Sequence, residues 1–476
     1  MPDRNPIQDI QFTAAEYNAD QSNHIHHYRY TGSVDAGWNI AREGKPYLDL
    51  GPGYVPVQTS ACGVCSTDLA RHHLPFSLPQ IIGHEVIGIY QGQNVAIEIN
   101  ASHMARGLVT EQCFYCNNQL DIHCLDRLTI GIDRLPGGFS PWVLAPVNAI
   151  HTLPTEFTGM SGVLIEPFAA ALKAVTVTPP QPGDRIAVLG PRRLGMLIIA
   201  ALNCYRQSKN INFTIHAVMR HLKLQEAAYE LGADSVVLLD EVNRSDLQQS
   251  YDVVFDTTGN PLGFELAADM AKRVVHLKST HGQPVLGLEH LTEIVINEQQ
   301  LLGLKSEKFE YAFNQIIKRN SSVRVFQSLH VKDIRPDDFP ANCEIVSELD
   351  ENMSQQFEMA LVSSGDEINI LSKPTSTQGA SLLRAGGSIF LDAKSFKNDS
   401  NKILQRISQS QLELVTSRCG SFVDAIQLLS QFPAVIRKLE DVLISHVMPV
   451  SRLNEAFELA ASSNKSIKVV VTQDHD

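Results

Sequence analysis

The distribution of apolar residues along the chain changes character near Gly162. From about residue 28 to residue 155, apolar residues fall into short runs of the β type, and glycine, proline and asparagine interrupt them. These runs cover residues 54–59, 86–90, 94–99 and 139–144. A helical period does not emerge in this part of the sequence. The pattern therefore predicts a strand-rich, barrel-like domain.

After Gly162, predicted strands and helices alternate. Residues 163–176 have the apolar spacing of a helix, and a proline-rich connector leads from them into a short buried strand at 185–190. The runs that follow are a helix at 195–206, a strand at 213–218, a helix at 222–231, and strands at 235–239 and 253–256. This alternation predicts right-handed βαβ units and a parallel sheet.

One segment of the second half of the chain echoes another. Residues 301–312 resemble residues 414–425, and a comparable strand and turn lie upstream of each. The upstream pairs are 252–259 with 274–277, and 367–375 with 388–391. We expect residues 310–410 to hold an inserted second copy of an α/β half-domain. A chance likeness between two βαβ stretches is the alternative.

Composition narrows the class of protein. A chain of 476 residues with 43% hydrophobic and 19% charged residues has enough apolar content for two or three globular domains. The net charge of −13, without a long basic run, argues against nucleic-acid and anionic-membrane partners. The longest apolar run, 194–202, is too short to cross a bilayer.

The cysteines and the polar start indicate the compartment. Five of the eight cysteines lie between Cys62 and Cys124, which favours metal ligation in a reducing cytoplasm over disulfides. The first residues lack the apolar stretch of a secretory signal, so we expect a cytoplasmic protein. Residues 1–25 are polar, and we expect them to be mobile.

Three residues offer the ligands of a catalytic metal. Cys65 and His84 lie in loops that end two separate apolar runs, and Glu166 follows much later. One sulfur, one nitrogen and one carboxylate oxygen would leave a tetrahedral zinc with an open fourth position, as in catalytic zinc sites. The alternative is a buried cysteine, a core histidine and a surface glutamate that never meet.

Several motifs give the chain a family resemblance. They are 63–68 (GVCSTD), 82–85 (IGHE), 165–167 (IEP), the glycine turn at Gly190, 256–259 (DTTG) and 456–458 (AFE). Over about residues 45–305 and 410–472, the chain resembles the zinc-dependent medium-chain dehydrogenases. The resemblance implies a GroES-like β-rich catalytic domain at 26–165, a Rossmann nucleotide-binding domain at 166–430 that carries the inserted α/β segment, and a return to the catalytic domain at 431–476.

The resemblance also implies roles for individual residues. Cys65, His84 and Glu166 become the zinc ligands, and Thr67 takes the place of the hydroxyl that passes on the substrate proton. Asp68 would orient a ligand, and Glu85 would tune the metal or transiently join it. In one departure from the family pattern, Ala70 stands where a relay histidine is often found.

A second cysteine set resembles the structural-zinc loop of the same family. Cys113, Cys116 and Cys124 match three of its four cysteines, and Thr110 stands at the first position. A neutral hydroxyl replaces a thiolate poorly. Two alternatives stay open: another ligand completes a zinc site, or the loop keeps three free thiols. The candidates for the fourth ligand are His103, Asp121, His123 and water.

The phosphate loop keeps two of its three glycines. Gly190 and Gly195 match the first and last positions of the G-x-G-x-x-G pattern, and the stretch between them includes Arg192, Arg193 and Leu194. Arg192 replaces the middle glycine and crowds the approach of a pyrophosphate, although its guanidinium can pair with phosphate instead.

The end of the second strand of this domain bears on the choice of cofactor. Arg220 stands there without a carboxylate, which favours NADP over NAD unless it only stacks on adenine or faces water. Thr258, within the 256–259 motif, is the other residue that the resemblance assigns to the cofactor.

Taken together, these features predict a zinc-dependent oxidoreductase that moves a hydride between an alcohol, polyol-like or another secondary alcohol, and NAD(P). The partner is then a small-molecule alcohol or carbonyl compound, and family members often form homo-oligomers. One alternative is a zinc-free quinone or enoyl reductase of the same superfamily. The other is a non-enzymatic descendant with a degraded cofactor loop.

Overall fold

Two compact units divide the chain in the computed structural model. The first contains Met1–Ala169 and Cys419–Asp476, and the second contains Ala170–Arg418. The structure describes residues 6–279, 283–304, 309, 314, 323–335, 339, 341–350, 354–375, 380–462 and 467–474.

The return to the first unit begins at Cys419, twelve residues before the predicted boundary at 431. The reason is local. The backbone N–H of Phe422 donates to Glu98 at 3.0 Å, and its ring lies 5.5 Å from that of His151, so the chain is held by the first unit from this point.

A four-stranded antiparallel sheet opens the first unit. Its strands are β1 (Gln8–Tyr17), β2 (Asn23–Ser33), β3 (Gly37–Arg42) and β4 (Lys45–Leu50), in sequential order. The expectation that residues 1–25 are mobile is wrong for those that the structure describes, because β1 pairs with β2 along its whole length. Burial of Tyr28 and Tyr30 on one face of β2 stabilises this sheet, while the histidines around them disguise the pattern.

A seven-stranded sheet forms the rest of the β structure in this unit, and it confirms the predicted strand-rich domain. Its order is β11-β7-β6-β5-β24-β23, with β10 paired to β5. The strands are β5 (Tyr54–Gly63), β6 (Glu85–Tyr90), β7 (Gln93–Ile97), β10 (Trp142–Pro146), β11 (Ile150–Thr152), β23 (Ile444–Pro449) and β24 (Lys468–Thr472). The short strands β8 (Asn100–Ala101) and β9 (Leu128–Thr129) pair separately.

Short helices connect these strands. They are α1 (Ser66–Leu69), α2 (Phe114–Asn117), α3 (Ile165–Val177), α11 (Phe422–Ser430), α12 (Pro433–Leu443) and α13 (Leu453–Ala461), where α3 runs across the boundary between the units. Single 3-10 turns occur at Arg71–His73, Asp121–His123, Val147–Ala149, Ser161–Leu164 and Val450–Arg452.

The second unit is built on one sheet of eleven strands. Its order is β14-β13-β12-β15-β16-β22-β17-β21-β20-β18-β19. The strands are β12 (Arg185–Leu189), β13 (Thr214–Met219), β14 (Ser235–Leu238), β15 (Tyr251–Asp256), β16 (Ala271–Leu277), β17 (Gln300–Gly303), β18 (Val323–Gln327), β19 (Cys343–Val346), β20 (Phe357–Val362), β21 (Leu383–Leu391) and β22 (Glu413–Thr416).

Helices alternate with these strands, as the sequence predicts for a Rossmann sheet. They are α4 (Arg193–Lys209), α5 (Gln225–Glu230, after a 3-10 turn at Leu222–Leu224), α6 (Arg244–Leu247), α7 (Pro261–Met270), α8 (Leu291–Ile296), α9 (Gly365–Ser372) and α10 (Lys402–Ser408). The apolar run at 194–202 forms the first half of α4, in which residues 195–202 are buried on all sides of the helix. Within the described part of the chain, we find no helix with the length and apolar character to cross a membrane.

The sheet consists of two halves that exchange their last strands. Strands β12 to β16 have the order 3-2-1-4-5, and β18 to β21 repeat positions 2-1-4-5 of this order among the residues that the structure describes. Strand β22, which follows the predicted insertion, pairs in parallel with β16, whereas β17, which precedes the insertion, pairs in parallel with β21. The two exchanged strands meet antiparallel at Leu301 and Leu414. The inserted α/β segment is thereby confirmed.

The upstream part of the predicted echo is wrong in one respect. Residues 367–375 are not the counterpart of the strand at 252–259, because residues 365–372 form helix α9. The counterpart is β20, which is buried at all six positions and so lacks the alternation that marks a half-exposed strand. Of the first echo segment, residues 305–308 and 310–312 lie outside the described residues.

Candidate active site and metal centres

Cys65, His84 and Glu85 form a cluster at one end of the seven-stranded sheet. Strands β5 and β6 pair Gly63 with Glu85, which brings the loop after β5 next to the start of β6. One ligand atom from each of the three residues lies within 4.8 Å of the other two. His84 and Glu85 are buried and Cys65 is half-buried, so the cluster combines a thiol, an imidazole and a carboxylate in a protected place.

Glu85 also forms a buried ion pair. Both of its carboxylate oxygens lie 2.6 Å from the Nζ atom of Lys468, which is the first residue of β24. A side chain at Gly63 would not fit beside them, because a Cβ atom there would come within 2.1 Å of Glu85 Oε2. The lysine offsets the charge of the carboxylate and fixes its place in the cluster.

Glu166 is not a member of this cluster. It is the second residue of α3 and lies in the first turn of that helix, where the positive end of the helix dipole stabilises a carboxylate. The sequence predicts Glu166 as the third ligand and Glu85 as a tuning residue, whereas the structure brings Glu85 to the two other ligand atoms. A ligand role for Glu166 stays a prediction.

Asp68 holds His84 and Cys65 of the cluster in place. Its Oδ1 atom lies 3.2 Å from His84 Nδ1, and its Oδ2 atom accepts the backbone N–H of Cys65 at 2.8 Å. A carboxylate on Nδ1 fixes the ring and leaves Nε2 for a metal ion. Thr67 Oγ1 lies 3.8 Å from Cys65 Sγ, beside the cluster.

The surroundings of His84 stabilise positive charge. Burial alone would lower the pKa of His84, but the neighbouring Asp68 and Cys65 raise that pKa well above its ordinary value. A divalent cation bound among these groups would supply the same compensation. The chemistry of the donors therefore fits a metal ion.

A second cluster contains His103, Cys113, Cys116 and Cys124, with their ligand atoms all within 4.8 Å of one another. The Sγ atoms of Cys113 and Cys124 lie 3.7 Å apart. His103 Nδ1 lies 3.4 Å from Cys124 Sγ and 3.9 Å from Cys116 Sγ. Its other nitrogen, Nε2, lies 3.6 Å from the carboxylate of Asp126.

The structure distinguishes the candidates for the fourth ligand of this second cluster. His103, which precedes the loop, joins the three cysteines, whereas Asp121 accepts a hydrogen bond from Ser102 at 3.0 Å. The ring of His123 packs 6.0 Å from that of Tyr115. Burial raises the pKa of Cys116, and that of Cys124 to about 12, and a metal cation beside these sulfurs would favour their thiolate forms.

The glycine turn after β12 lies next to the end of β15. Gly190 has a φ of +74°, and a Cβ atom there would lie 2.8 Å from the side chain of Thr258. Thr257 Oγ1 donates to the carbonyl oxygens of Leu189 and Gly190, at 2.9 and 3.1 Å. At Gly195, a Cβ atom would lie 2.8 Å from Thr257 Oγ1. The tight turn and the close packing of helix on strand are both preserved.

Arg192 and Arg193 lie at the start of helix α4, with Arg192 in the N-cap position and Leu194 next in the helix. This seventeen-residue helix directs the backbone N–H groups of its first turn towards the glycine turn, as a pyrophosphate site requires. Arg220 follows β13 directly and is exposed. The residues that the sequence assigns to the cofactor therefore lie within one region of the second unit.

Sequence reasoning assigned no individual role to two of the buried ionisable residues near these sites. Lys468 comes 383 positions after its partner Glu85, and its only signal is a lysine at the start of an apolar strand. Asp256, in the 256–259 motif, is buried, and burial raises its pKa to about 6 although Thr258 donates to its Oδ1 atom.

Comparison with known proteins points to one family. Residues 51–155 match the alcohol dehydrogenase GroES-like domain. Over 282 residues, the chain is 26% identical to (R,R)-butanediol dehydrogenase of Bacillus subtilis, which covers 53% of this chain and 77% of that enzyme. It is 24% identical to sorbitol dehydrogenase of the same organism over 281 residues, which covers 54% of this chain and 74% of that enzyme.

The solved structures agree at the level of the fold. A crystal structure from Sinorhizobium meliloti 1021, of a protein assigned as a zinc-binding dehydrogenase and bound to NADP, superposes with a TM-score of 0.55 at 17% identity. The match covers 97% of this chain and 99% of that one.

Proposed function

We propose that this chain is a member of the zinc-dependent medium-chain dehydrogenase/reductase family of alcohol dehydrogenases, and that it interconverts a secondary alcohol of a diol or polyol with the corresponding ketone. The observation that carries the proposal is the buried cluster of Cys65, His84 and Glu85, with Asp68 behind it. The names of the two curated relatives, a butanediol and a sorbitol dehydrogenase, support the substrate class.

Zinc fits the donors of this cluster, since zinc binds thiolate, imidazole and carboxylate ligands. Cys65 and His84 would hold it, together with a carboxylate from Glu85 or Glu166. When bound, zinc supplies a Lewis acid that lowers the pKa of an alcohol oxygen.

The residues of the chain have distinct tasks in this proposal. Asp68 keeps the His84 ring and the Cys65 backbone in place through its two oxygens. Thr67, beside the cluster, takes the proton of the substrate hydroxyl and passes its own proton on. Lys468 holds the Glu85 carboxylate at the cluster, and its own charge reduces the net negative charge there.

The nucleotide cofactor is proposed to bind at the glycine turn of the second unit. Gly190 and the first turn of α4 would hold the pyrophosphate, with Arg192 and Arg193 as cationic partners of the phosphates. Arg220 suits a 2′-phosphate, so we favour NADP over NAD. The cofactor supplies the hydride chemistry, and the chain positions it.

The experiment that tests the proposal combines metal analysis with turnover. Purified protein is assayed against a panel of diols, polyols and their ketones with both phosphorylated and unphosphorylated dinucleotides, and its zinc content is measured. Turnover that needs zinc and a vicinal diol or hydroxyketone supports the proposal. Full activity in zinc-free protein would instead favour the quinone or enoyl reductase.

One observation favours a non-enzymatic binding protein as the second candidate. Arg192 stands in the N-cap position of α4, where a glycine would give a pyrophosphate the closest approach to the backbone. Titration with NADPH and NADH, followed through their fluorescence, separates the two candidates. A protein that binds neither dinucleotide at millimolar concentration cannot be a dehydrogenase.

The second cluster is proposed to hold a structural zinc ion. Three cysteines and His103 supply four protein donors, the complement of a closed structural site. Asp126, near the other nitrogen of His103, would orient that ring.

A further inference from the structure

A buried arginine follows the helix that carries Asp68. Arg71 begins the 3-10 turn Arg71–His73, and its side chain is 0% exposed. The backbone stays helical from α1 into this turn, since Ala70, the one residue between them, donates its N–H to the carbonyl oxygen of Ser66 at 3.0 Å. Residues three apart on a helical path are neighbours, so the buried side chains of Asp68 and Arg71 come near each other.

Three acceptors of the following loop hold the guanidinium of Arg71. Its Nη1 atom donates to the carbonyl oxygen of Phe76 at 3.0 Å. Its Nη2 atom donates to the carbonyl oxygen of Ser77 at 2.9 Å and to Gln80 Oε1 at 2.7 Å. These acceptors are neutral, so they fix the place of the charge. Because an arginine side chain keeps its proton in proteins, Arg71 brings a permanent positive charge to this part of the first unit.

Two buried carboxylates interact with this charge. Burial lowers the pKa of Arg71, and the nearby Asp133 and Asp68 oppose this effect. Tyr17 opposes it more weakly. Of these groups, Asp68 is the one that contacts His84 Nδ1, at 3.2 Å. The charge of Arg71 therefore acts on the active cluster through Asp68.

A cation behind Asp68 changes what the chain offers to a metal ion. The carboxylate of Asp68 makes the imidazole of His84 a stronger donor, as carboxylates behind metal-binding histidines do. Arg71 attracts the negative charge of Asp68, so Asp68 strengthens His84 less. Arg71 also makes the electrostatic potential at the cluster less negative. Both effects reduce the attraction for a divalent cation, and both favour loss of a proton from a hydroxyl that lies there.

Resting on the zinc-dependent alcohol oxidation proposed above, we propose that Arg71 is a positioning residue of the active cluster that acts through Asp68. Its charge makes the chain bind zinc less tightly and makes a substrate hydroxyl at the cluster lose its proton more readily. The argument needs no excess of positive charge around Arg71, since its replacement by a neutral residue removes one positive charge whatever else lies nearby.

The expected size follows from Coulomb's law. Two unit charges roughly 10 Å apart, in surroundings of effective dielectric constant about 20, change an equilibrium constant by about tenfold. Without Arg71, we therefore expect zinc to bind about ten times more tightly and the onset of alcohol oxidation to move up by about one pH unit.

The test measures zinc affinity and the pH dependence of kcat/KM for the best alcohol. The proteins are the wild type, Arg71→Met, Arg71→Lys and Arg134→Met. Arg134 pairs with Asp133 at 3.1 Å and is 49% exposed, so its variant is the control for loss of a positive charge in the same unit. Arg71→Met should show both changes, whereas Arg71→Lys and Arg134→Met should stay close to the wild type.

Zinc affinity is measured by competition with a fluorescent chelator. For this measurement each protein also carries Cys124→Ser, which removes a ligand of the second cluster, so that the Cys65 cluster is the site that is read.

A merely structural role of Arg71 gives the opposite sign for zinc. Loss of an anchor loosens the loop and weakens metal binding without moving the pH profile, so weaker or unchanged zinc affinity in folded Arg71→Met would overturn the inference. Weaker binding by Arg71→Lys would show that the hydrogen bonds of the guanidinium matter rather than its charge.

Asp133→Asn decides the case if Arg71→Met does not fold. This variant removes a negative charge near Arg71, so zinc should bind less tightly and oxidation should set in at lower pH. Changes in the other direction would again overturn the inference. Full alcohol turnover by zinc-free wild type would instead overturn the proposed function itself, and zinc affinity would still test Arg71.

Discussion

The two cysteine-containing clusters of the first unit differ in what the chain supplies to a metal. The cluster of His103, Cys113, Cys116 and Cys124 offers four donors from one short region, and each is a sulfur or an imidazole nitrogen. The cluster at Cys65 offers one sulfur, one nitrogen and a carboxylate that a lysine also binds. Four protein donors satisfy a tetrahedral ion, whereas a smaller and mixed set leaves the ion able to take a substrate oxygen.

The strongest effect is expected for Cys65→Ser, which should lower activity without lowering stability. Replacing Cys65 with serine removes the only sulfur of its cluster, so turnover of the best alcohol should fall by about a thousandfold or more, equivalent to roughly 4 kcal/mol of activation free energy. The melting temperature should change little. Steady-state kinetics and thermal unfolding measure both effects.

The control for this variant is Cys343→Ser, at the start of strand β19 in the other unit, which should keep its activity. Substantial turnover by zinc-free Cys65→Ser would contradict the assignment of the active cluster.

Replacing Cys124 with serine should lower stability and leave the activity of the folded protein unchanged, the reverse of Cys65→Ser. Loss of one thiolate from a closed site should lower the free energy of unfolding by about 3 kcal/mol, because metal binding there is coupled to folding. The zinc content should drop by one ion per chain, while activity per folded molecule persists. Metal analysis and chemical denaturation test this, and an unchanged zinc content would show that the loop holds three free thiols.

His103 tests the same difference between the two clusters, because it joins the three cysteines where the first cysteine of the family loop is missing. The variant His103→Ala should lose the second zinc ion and about 2 kcal/mol of stability. His103→Cys supplies a thiolate from the same position and should keep both. If the alanine variant retained two zinc ions, another ligand would have to complete the site.

The smallest effects concern Asp68 and Asp126, the carboxylates close to a ring nitrogen of His84 and of His103. Asp68 is buried and close to His84, so Asp68→Asn should weaken zinc binding at that cluster by about a hundredfold, at the upper end for such partners. Asp126 is largely exposed, so Asp126→Asn should cost only a few-fold. Competition with a fluorescent chelator measures both. Equal losses would show that burial of the carboxylate is irrelevant.

Local sequence patterns were sufficient for much of the fold. The switch from β-type runs to alternating helices and strands marks the two kinds of sheet, and Cys65 and His84 were found because each closes an apolar run. The described part of the first 25 residues was misread, since the histidines and arginine of β2 obscure its buried tyrosines. The ion pair of Glu85 with Lys468 joins positions that no local pattern connects.

The exchange of strands could not be predicted for a different reason. Strands β17 and β22 belong to segments that resemble each other, so either could complete the edge of β16 as far as local sequence is concerned. Only packing over long distances along the chain decides that β22 takes this place. The same likeness made the inserted copy visible in the sequence and left its pairing undetermined.

Because of that exchange, the native neighbour of β16 is synthesised long after β16 itself. Glu413 comes 136 positions after Leu277, so at 5–20 residues per second the edge of β16 waits roughly 7 to 27 s for its native neighbour. During this interval β17 has already been made and offers a similar strand. A nascent chain in which β17 pairs with β16 must later replace β17 with β22. Until then, an open strand edge is a target for chaperones and for aggregation.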